Sequence, residues 1–328
     1  MQYLNNFRGG AILAILFIHS ISTISIGDSL FLSVLSKTLS GATFLFVMIS
    51  GYFFARFSDG FKYFSYLKDK LAFVLVPYVV LSFPAAMIYV LGFKSSHTWM
   101  DMSWFGSLSS IEQYTYLLMT GAHLGPLWFI PMMVMFYLFS PVFFEICNKS
   151  LVLPVFVFSV IVSFIIGRPQ FDNSPFLSFL YFLPAYILGF VIFYYHEVLV
   201  WFSKKSVLLL FLVLFMNLAL SIYFSVVDNH VSVFYQVVFS FLLLAVFYRY
   251  YNYRLRWLDL FARLSFFIFF IHGYFSGLFR AGYKKIDYSG FEVLLVLFAF
   301  LVTVFLSLSV FVFLKLLLKN KTKTFIGA

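Results

Sequence analysis

A chain of 328 residues that is 63% hydrophobic and 10% charged, with a mean hydropathy of +1.00, carries too much apolar surface to fold as a water-soluble globule; soluble domains carry about 25% charged residues. Its solvent must be lipid. The net charge of +10 then reads as membrane topology and attraction to anionic headgroups, not as a nucleic-acid surface, and the lone Cys147 excludes an intrachain disulfide and any cysteine-built metal cluster.

A hydrocarbon core of about 30 Å needs roughly 20 apolar helical residues. The sequence offers ten such segments, at 9–26, 38–57, 71–92, 126–146, 150–167, 175–195, 206–226, 230–248, 262–280 and 290–316. Alternating strand patterns are absent, so each segment must satisfy its own backbone as a helix. The expected fold is an all-α polytopic membrane protein, one integral domain over residues 1–328. The first segment has no small-residue cleavage site and more spans follow, so it reads as a retained span. With the N-terminus placed in the cytoplasm, only Lys37, Lys94, Arg168, Arg280, Lys284 and Lys285 of the 22 basic residues fall outside. That asymmetry predicts both termini in the cytoplasm. The longest outer connection, Gly92 to Gly125, holds Trp99, Trp104, Phe105 and Tyr114. These suit an aromatic belt, a lid over a site, or a short helix lying on the membrane.

In chain order, the first segment is headed by Arg8 and carries His19 within it. Eleven residues at 100° each make three turns plus about 20°, so both lie on one helix face, with His19 roughly 16 Å further along. Neighbouring Gly9, Gly10 and Ala11 allow close approach of another helix or a ligand. Ionisable groups inside a membrane are functional candidates by default. In the second segment Ser40, Thr43, Val47 and Ser50 share a face with Gly41 and Gly51 nearby, which suits tight packing or a cavity wall. Two basic clusters, Arg56/Lys68/Lys70 and Arg254/Arg256/Arg263, are inner-face candidates for phosphate binding. The ninth segment repeats the first: Arg263 begins it, His272 follows, and Ser265, His272 and Ser276 share a face. Two histidines at comparable depth on a common cavity can handle protons together. There is no Walker loop, HExxH or GxSxG, no ligand spacing that supports a metal, and almost no acidic residue inside a span.

These stretches are similar, in order, to those of the acyltransferase-3 family of integral membrane acyltransferases. FRGGAILAILFIH (Phe7 to His19) resembles its first helix, FLFVMISGYFFARF (Phe44 to Phe57) its second, VPYVV around Pro77 its third, GPLWFIPMMVMFYLFSPV (Gly125 to Val142) its LWF segment, YFLPAYILGF (Tyr181 to Phe190) a later Pro- and Gly-marked helix, and LSFFIFFIH (Leu264 to His272) its histidine-ended helix. Phe7 stands where many members have leucine. The arginine pair many members carry after the second helix is represented only by Arg56, Lys68 and Lys70.

The resemblance implies transfer of an acyl group, usually acetyl, from a coenzyme A thioester to a hydroxyl of a surface-polysaccharide sugar or a lipid-linked glycan. His19 would be the base or carry the acyl group as an acyl-imidazole, supported by His272. Arg8 would hold donor phosphate, together with Arg56, Lys68, Lys70, Arg254, Arg256 and Arg263, and Ser50 or a backbone N–H near Gly51 would steady the oxyanion. The extracytoplasmic esterase-like domain of some members has no counterpart here, so transfer is expected to finish within the membrane domain. No tightly bound cofactor or metal is expected; acetyl-CoA is a donor substrate. The expected partners are acyl-CoA, the glycan acceptor and membrane lipids, with a homo-oligomer left open, and the expected location is the cytoplasmic (inner) membrane. Two other readings stand beside this one: a transporter or flippase of polysaccharide or lipid-linked intermediates without transfer chemistry, and a polysaccharide polymerase, for which the nearly neutral outer loops are a poor fit.

Overall fold

The computed structural model describes residues 1–26, 29–169, 174–223, 230–286 and 290–327; it is 82% helical, with no strand among the described residues. Eight helical segments are long and apolar enough to cross a bilayer, or ten if each of two sharply bent pairs counts as one span.

Helix α1 (Gln2–Ile21) starts earlier than expected. Tyr3, Leu4 and Phe7 are buried, so apolar packing begins before Arg8, which lies inside the helix and not at its head. Helices α2 (Leu30–Leu39) and α3 (Ala42–Arg56) make one 27-residue span with a break at Ser40–Gly41. The third span joins α4 (Tyr63–Lys70) to α5 (Val76–Val90) through a π-helical turn, Leu71–Leu75. The N–H of Val76 reaches back five residues to the carbonyl of Leu71, and Pro77 has no N–H to restore the regular ladder.

The largest departure from the sequence reading is the fourth span. The expected straight helix over 126–146 is instead α8 (Phe129–Leu138) and α9 (Ser140–Ile146), introduced by a 3₁₀ turn at Gly125–Trp128. The Gly92–Gly125 connection holds α6 (Met102–Ser107) and α7 (Ser110–Thr120), and α7 meets the 125–138 segment at 74°. Gly121 makes the bend. It closes α7 in the left-handed conformation, φ 73°, and any Cβ there would strike the backbone of Leu127 and Trp128. Only glycine adopts that conformation without cost.

The remaining elements are α10 (Lys149–Ile166), α11 (Pro175–Tyr194), α12 (His196–Ser203), α13 (Ser206–Tyr223), α14 (Ser232–Tyr250), α15 (Arg256–Tyr283), α16 (Glu292–Leu318), a 3₁₀ turn at Lys319–Lys321 and α17 (Thr322–Ile326). Helix α12 is the other half of the second bent pair, at 83° to α13. The end of the expected 206–226 segment lies outside the described residues. Helix α17 folds back onto α5, burying Ile326 in the main apolar core.

Two close crossings organise the bundle. Helices α1 and α15 run side by side in the same direction, and α3 crosses α11. Each crossing has glycine at its tightest point. A Cβ on Gly9 would meet the carbonyl of Leu258, one on Gly51 the carbonyl of Tyr186, and one on Gly189 the backbone of Met48 and Tyr52. Lipid tails are as apolar as leucine, so helices associate in lipid through such close backbone approach. The small-residue face of the second segment thus splits: Gly51 packs, while Ser50 beside it faces a cavity. Gly51→Ala is expected to cost at least about 2 kcal/mol by overpacking, seen as a lower thermal unfolding midpoint in detergent, whereas Ser50→Ala shifts it little. Equal midpoints for the two variants would contradict this packing.

Candidate active site

Parallel packing sets α1 and α15 in one register. Arg8 Nε donates to Ser265 Oγ at 2.8 Å, and Ser265 passes its own proton to the carbonyl of Ala262 at 2.9 Å. Further along, the rings of His19 and His272 lie 5.0 Å apart, tilted by 56°. The two histidines, expected at comparable depth on a common cavity, have their rings together across the contact between the first and ninth expected segments, but only His19 lines a cavity.

Their environments differ. His272 is wholly buried, and its Nδ1 lies 3.0 Å from the carbonyl of Ile268. A carbonyl can only accept, so Nδ1 carries the proton and Nε2 holds the lone pair. That Nε2 has no hydrogen-bond partner among the described residues. His19 is half-buried, lines a cavity, and has no hydrogen bond on either ring nitrogen among the described residues. Of the two, His19 is the one that lines this cavity, and His272 stands behind it.

The cavity above His19 has a volume of about 500 Å³. Its walls come from the end of α15 (Gly273, Ser276, Gly277), from the aromatic side chains Tyr89, Trp99 and Trp128, and from the bend at residues 120–126. His97 and His123, to which the sequence reading gave no role, hold this wall in shape. The His97 Nε2–H donates to the carbonyl of Ala122 at 3.0 Å, while its Nδ1 accepts from the backbone N–H groups of Trp99 and Met100. Burial holds the His97 imidazole below the usual histidine range, against the pull of the Ala122 carbonyl, in keeping with this neutral, doubly bonded ring. His123 Nδ1 lies 2.9 Å from the carbonyl of Leu117 and ties the bend to α7. Of the four aromatic residues singled out in the Gly92–Gly125 connection, Trp99 lines this cavity and Trp104, Phe105 and Tyr114 do not.

A second cavity, about 240 Å³, lies toward the end of the bundle where α1 begins. Arg8, Ser50 and Lys70 line it with Tyr66, Tyr137 and Tyr186. The Lys70 ammonium sits 5.0 Å from the Tyr66 ring and 5.3 Å from the Tyr137 ring, and the Arg8 guanidinium is 5.9 Å from the Phe266 ring centre. Among the described residues neither cation has a carboxylate partner, so two positive charges face one aromatic-walled space suited to an anion. The Ser50 hydroxyl donates to the carbonyl of Phe46 at 3.0 Å and shares this cavity with Arg8, not the one with His19. The geometry does not bring Ser50 and His19 together, because Gly51 must turn its face of α3 into α11.

The other basic candidates scatter. Arg56 lies at the rim by Phe57 and contacts the Met1 sulfur. Lys68 and Arg256 are exposed and line neither cavity. Arg254 and Arg263 both turn to Asp259, with N···O distances of 2.8 and 3.9 Å, so one carboxylate offsets part of their combined charge. Of the cluster around the second and third expected segments, Lys70 alone lines the cavity of Arg8. Among the described residues no three His, Cys, Asp or Glu side chains converge as a metal site.

A packed histidine pair with a cationic cavity on one side and a larger cavity on the other lies within a bundle of eight to ten helices long and apolar enough to cross a membrane. The model of the acyltransferase-3 family, described as an acyltransferase domain, matches residues 1–312, and the chain belongs to that family. No curated protein sequence and no solved structure matches it significantly.

Gly277 lines the upper cavity and has open space where a Cβ would stand. In a Cys147→Ser background, Gly277→Cys is therefore expected to react rapidly with a hydrophilic thiol reagent, while Ser265→Cys, at a fully buried position on the same helix, stays protected. Equal labelling of the two would contradict the cavity.

Proposed function

We propose that this protein is a membrane O-acyltransferase that takes an acyl group, most simply acetyl, from a cytoplasmic acyl-CoA and places it on a hydroxyl of a sugar in a surface polysaccharide or lipid-linked glycan. The cavity with Arg8 and Lys70 would face the cytoplasm, in line with the Lys/Arg asymmetry, with both termini on that side and the chain in the cytoplasmic membrane. The observation that carries this reading is the alignment of two cavities along one helix face. Arg8 and Lys70 line one, the His19 imidazole lines the other, and about 16 Å of α1 separates Arg8 from His19.

Phosphate groups of the donor suit Arg8 and Lys70, which offer charge-assisted donors that form no ion pair among the described residues. An extended thioester arm then runs along α1 toward His19. The acceptor enters from the upper cavity and sets a hydroxyl against the imidazole. His19 takes the hydroxyl proton as the oxygen attacks the thioester carbonyl; the C–S bond breaks, and the thiolate leaves with that proton as free coenzyme A. An acyl-imidazole on His19 would give the same products in two steps. His272, with its tautomer fixed by Ile268, acts as a positioning residue for His19. The transporter reading uses the same cavities but predicts no thioester turnover, which makes donor hydrolysis and transfer by the purified protein the deciding measurement.

His19→Gln is expected to insert and fold, yet to transfer acetyl groups at least about a hundredfold more slowly, the low end of what losing a general base costs. Glutamine can hydrogen-bond but cannot carry the proton, so near-normal transfer would refute the role. Arg8→Ala is expected to raise the dissociation constant for acetyl-CoA about tenfold or more, while Arg254→Gln, already balanced by Asp259, changes it little; titration calorimetry on the purified variants separates the two.

A further inference from the structure

Three cations stand at the mouth of the cavity above His19. Arg280 and Lys284 project from the end of α15, four positions apart and so on one side of the chain there, and Lys94 comes from the loop after α5. All three are solvent-exposed, while His19 below them is half-buried. Burial, and then the charges of Arg280 and Lys284, hold the Lys94 ammonium below the ordinary lysine range; the three charges are close enough to oppose one another. Their contacts are with neutral groups. Arg280 Nη2 donates to Ser22 Oγ at 3.3 Å, and the Lys94 ammonium lies 4.7 Å from the Tyr89 ring centre.

Among the described residues no carboxylate forms an ion pair with them. Asp101 caps α6 through the N–H groups of Ser103 and Trp104, and Glu112 closes the capping box of α7 with Ser109. The ion pairs among the described residues join Lys149 to Glu197 and Arg254 and Arg263 to Asp259, none of which lines this cavity. Like charges gathered with no carboxylate partner among the described residues oppose one another, and a bound anion relieves that repulsion. Trp99 and Trp128 line the same space and offer apolar surface to a sugar ring.

We propose that the acceptor is an anionic glycan, whose phosphate or carboxylate is held by Arg280, Lys284 and Lys94 while a neighbouring sugar hydroxyl reaches His19. The assignment rests on this cavity being the acceptor side of the transfer. It adds a specificity device: charge selects the acceptor at the mouth, and the aromatic wall orients its ring.

The test uses the purified full-length protein, with glucose 1-phosphate, glucuronate and glucose as probes and tryptophan fluorescence as a readout independent of turnover, since Trp99 and Trp128 line the cavity. At least one of the two anions is expected to bind about tenfold or more tightly than glucose, with the advantage shrinking as salt is raised. Which anion gains tells phosphate from carboxylate. Arg280→Gln combined with Lys284→Gln is expected to remove the advantage, Arg280→Lys to keep most of it, and Lys62→Gln, outside both cavities, to leave it intact. Equal binding of all three probes, binding of none, or a preference that survives the double Gln variant would overturn the anionic acceptor. Charge-selective binding without any transfer from acetyl-CoA would retain the anion site and defeat the transferase reading; transfer without charge preference would do the reverse.

Discussion

A guanidinium and an imidazole placed inside hydrocarbon must be wrapped by protein, and the contact between α1 and α15 does that wrapping. Gly9 brings the two backbones together at Leu258. That approach sets Arg8 against Ser265 and His19 against His272. Separating the helices would leave charged or polar groups facing lipid, at a cost of several kcal/mol for each. The site is therefore not an addition to the packed bundle. The interaction that shields these groups from lipid also gives them their geometry.

Irregular backbone marks both cavities. The π-helical turn follows Lys70, directly beside the cavity of Arg8, and the left-handed Gly121 bend walls the cavity of His19. Non-helical backbone at membrane depth is tolerated where it is buried in protein or lines a polar space. His97 bonds the Ala122 carbonyl of the bent stretch, and His123 adds a second bond to the Leu117 carbonyl, which already accepts from the Gly121 N–H. Straight spans would pack closely along their full length; the bends open volume where polar side chains can meet a substrate.

Charge is distributed by local balance. Asp259 pairs with Arg254 and lies 3.9 Å from Arg263, so part of a basic cluster that looks ready for phosphate in the sequence is already engaged. Arg8 and Lys70 on one side, and Arg280, Lys284 and Lys94 on the other, lack such a partner among the described residues, and it is these cations that line cavities. A cation's neighbours, more than its presence in a basic run, decide whether it is available to a ligand.

Much of this was legible in the chain. Ten apolar segments, the helical class, and the shared face of Arg8 and His19 all follow from composition and the 3.6-residue period, which are local properties. The motifs from Phe7 to His272 carried the family for the same reason, each being a short run within one helix. What the chain did not disclose depends on residues far apart. Ser50 and His19 look like neighbours in function, yet they face different cavities, because Gly51 seats α3 on α11 at Tyr186. His97, His123, Lys94 and Arg280 read as scattered loop or span-end residues until the bend after Thr120 folds them around one space. Periodicity fixes which side chains share a helix face; which face meets which cavity is decided by a few backbone-to-backbone contacts between distant glycines and their partners, and no local pattern encodes those pairings.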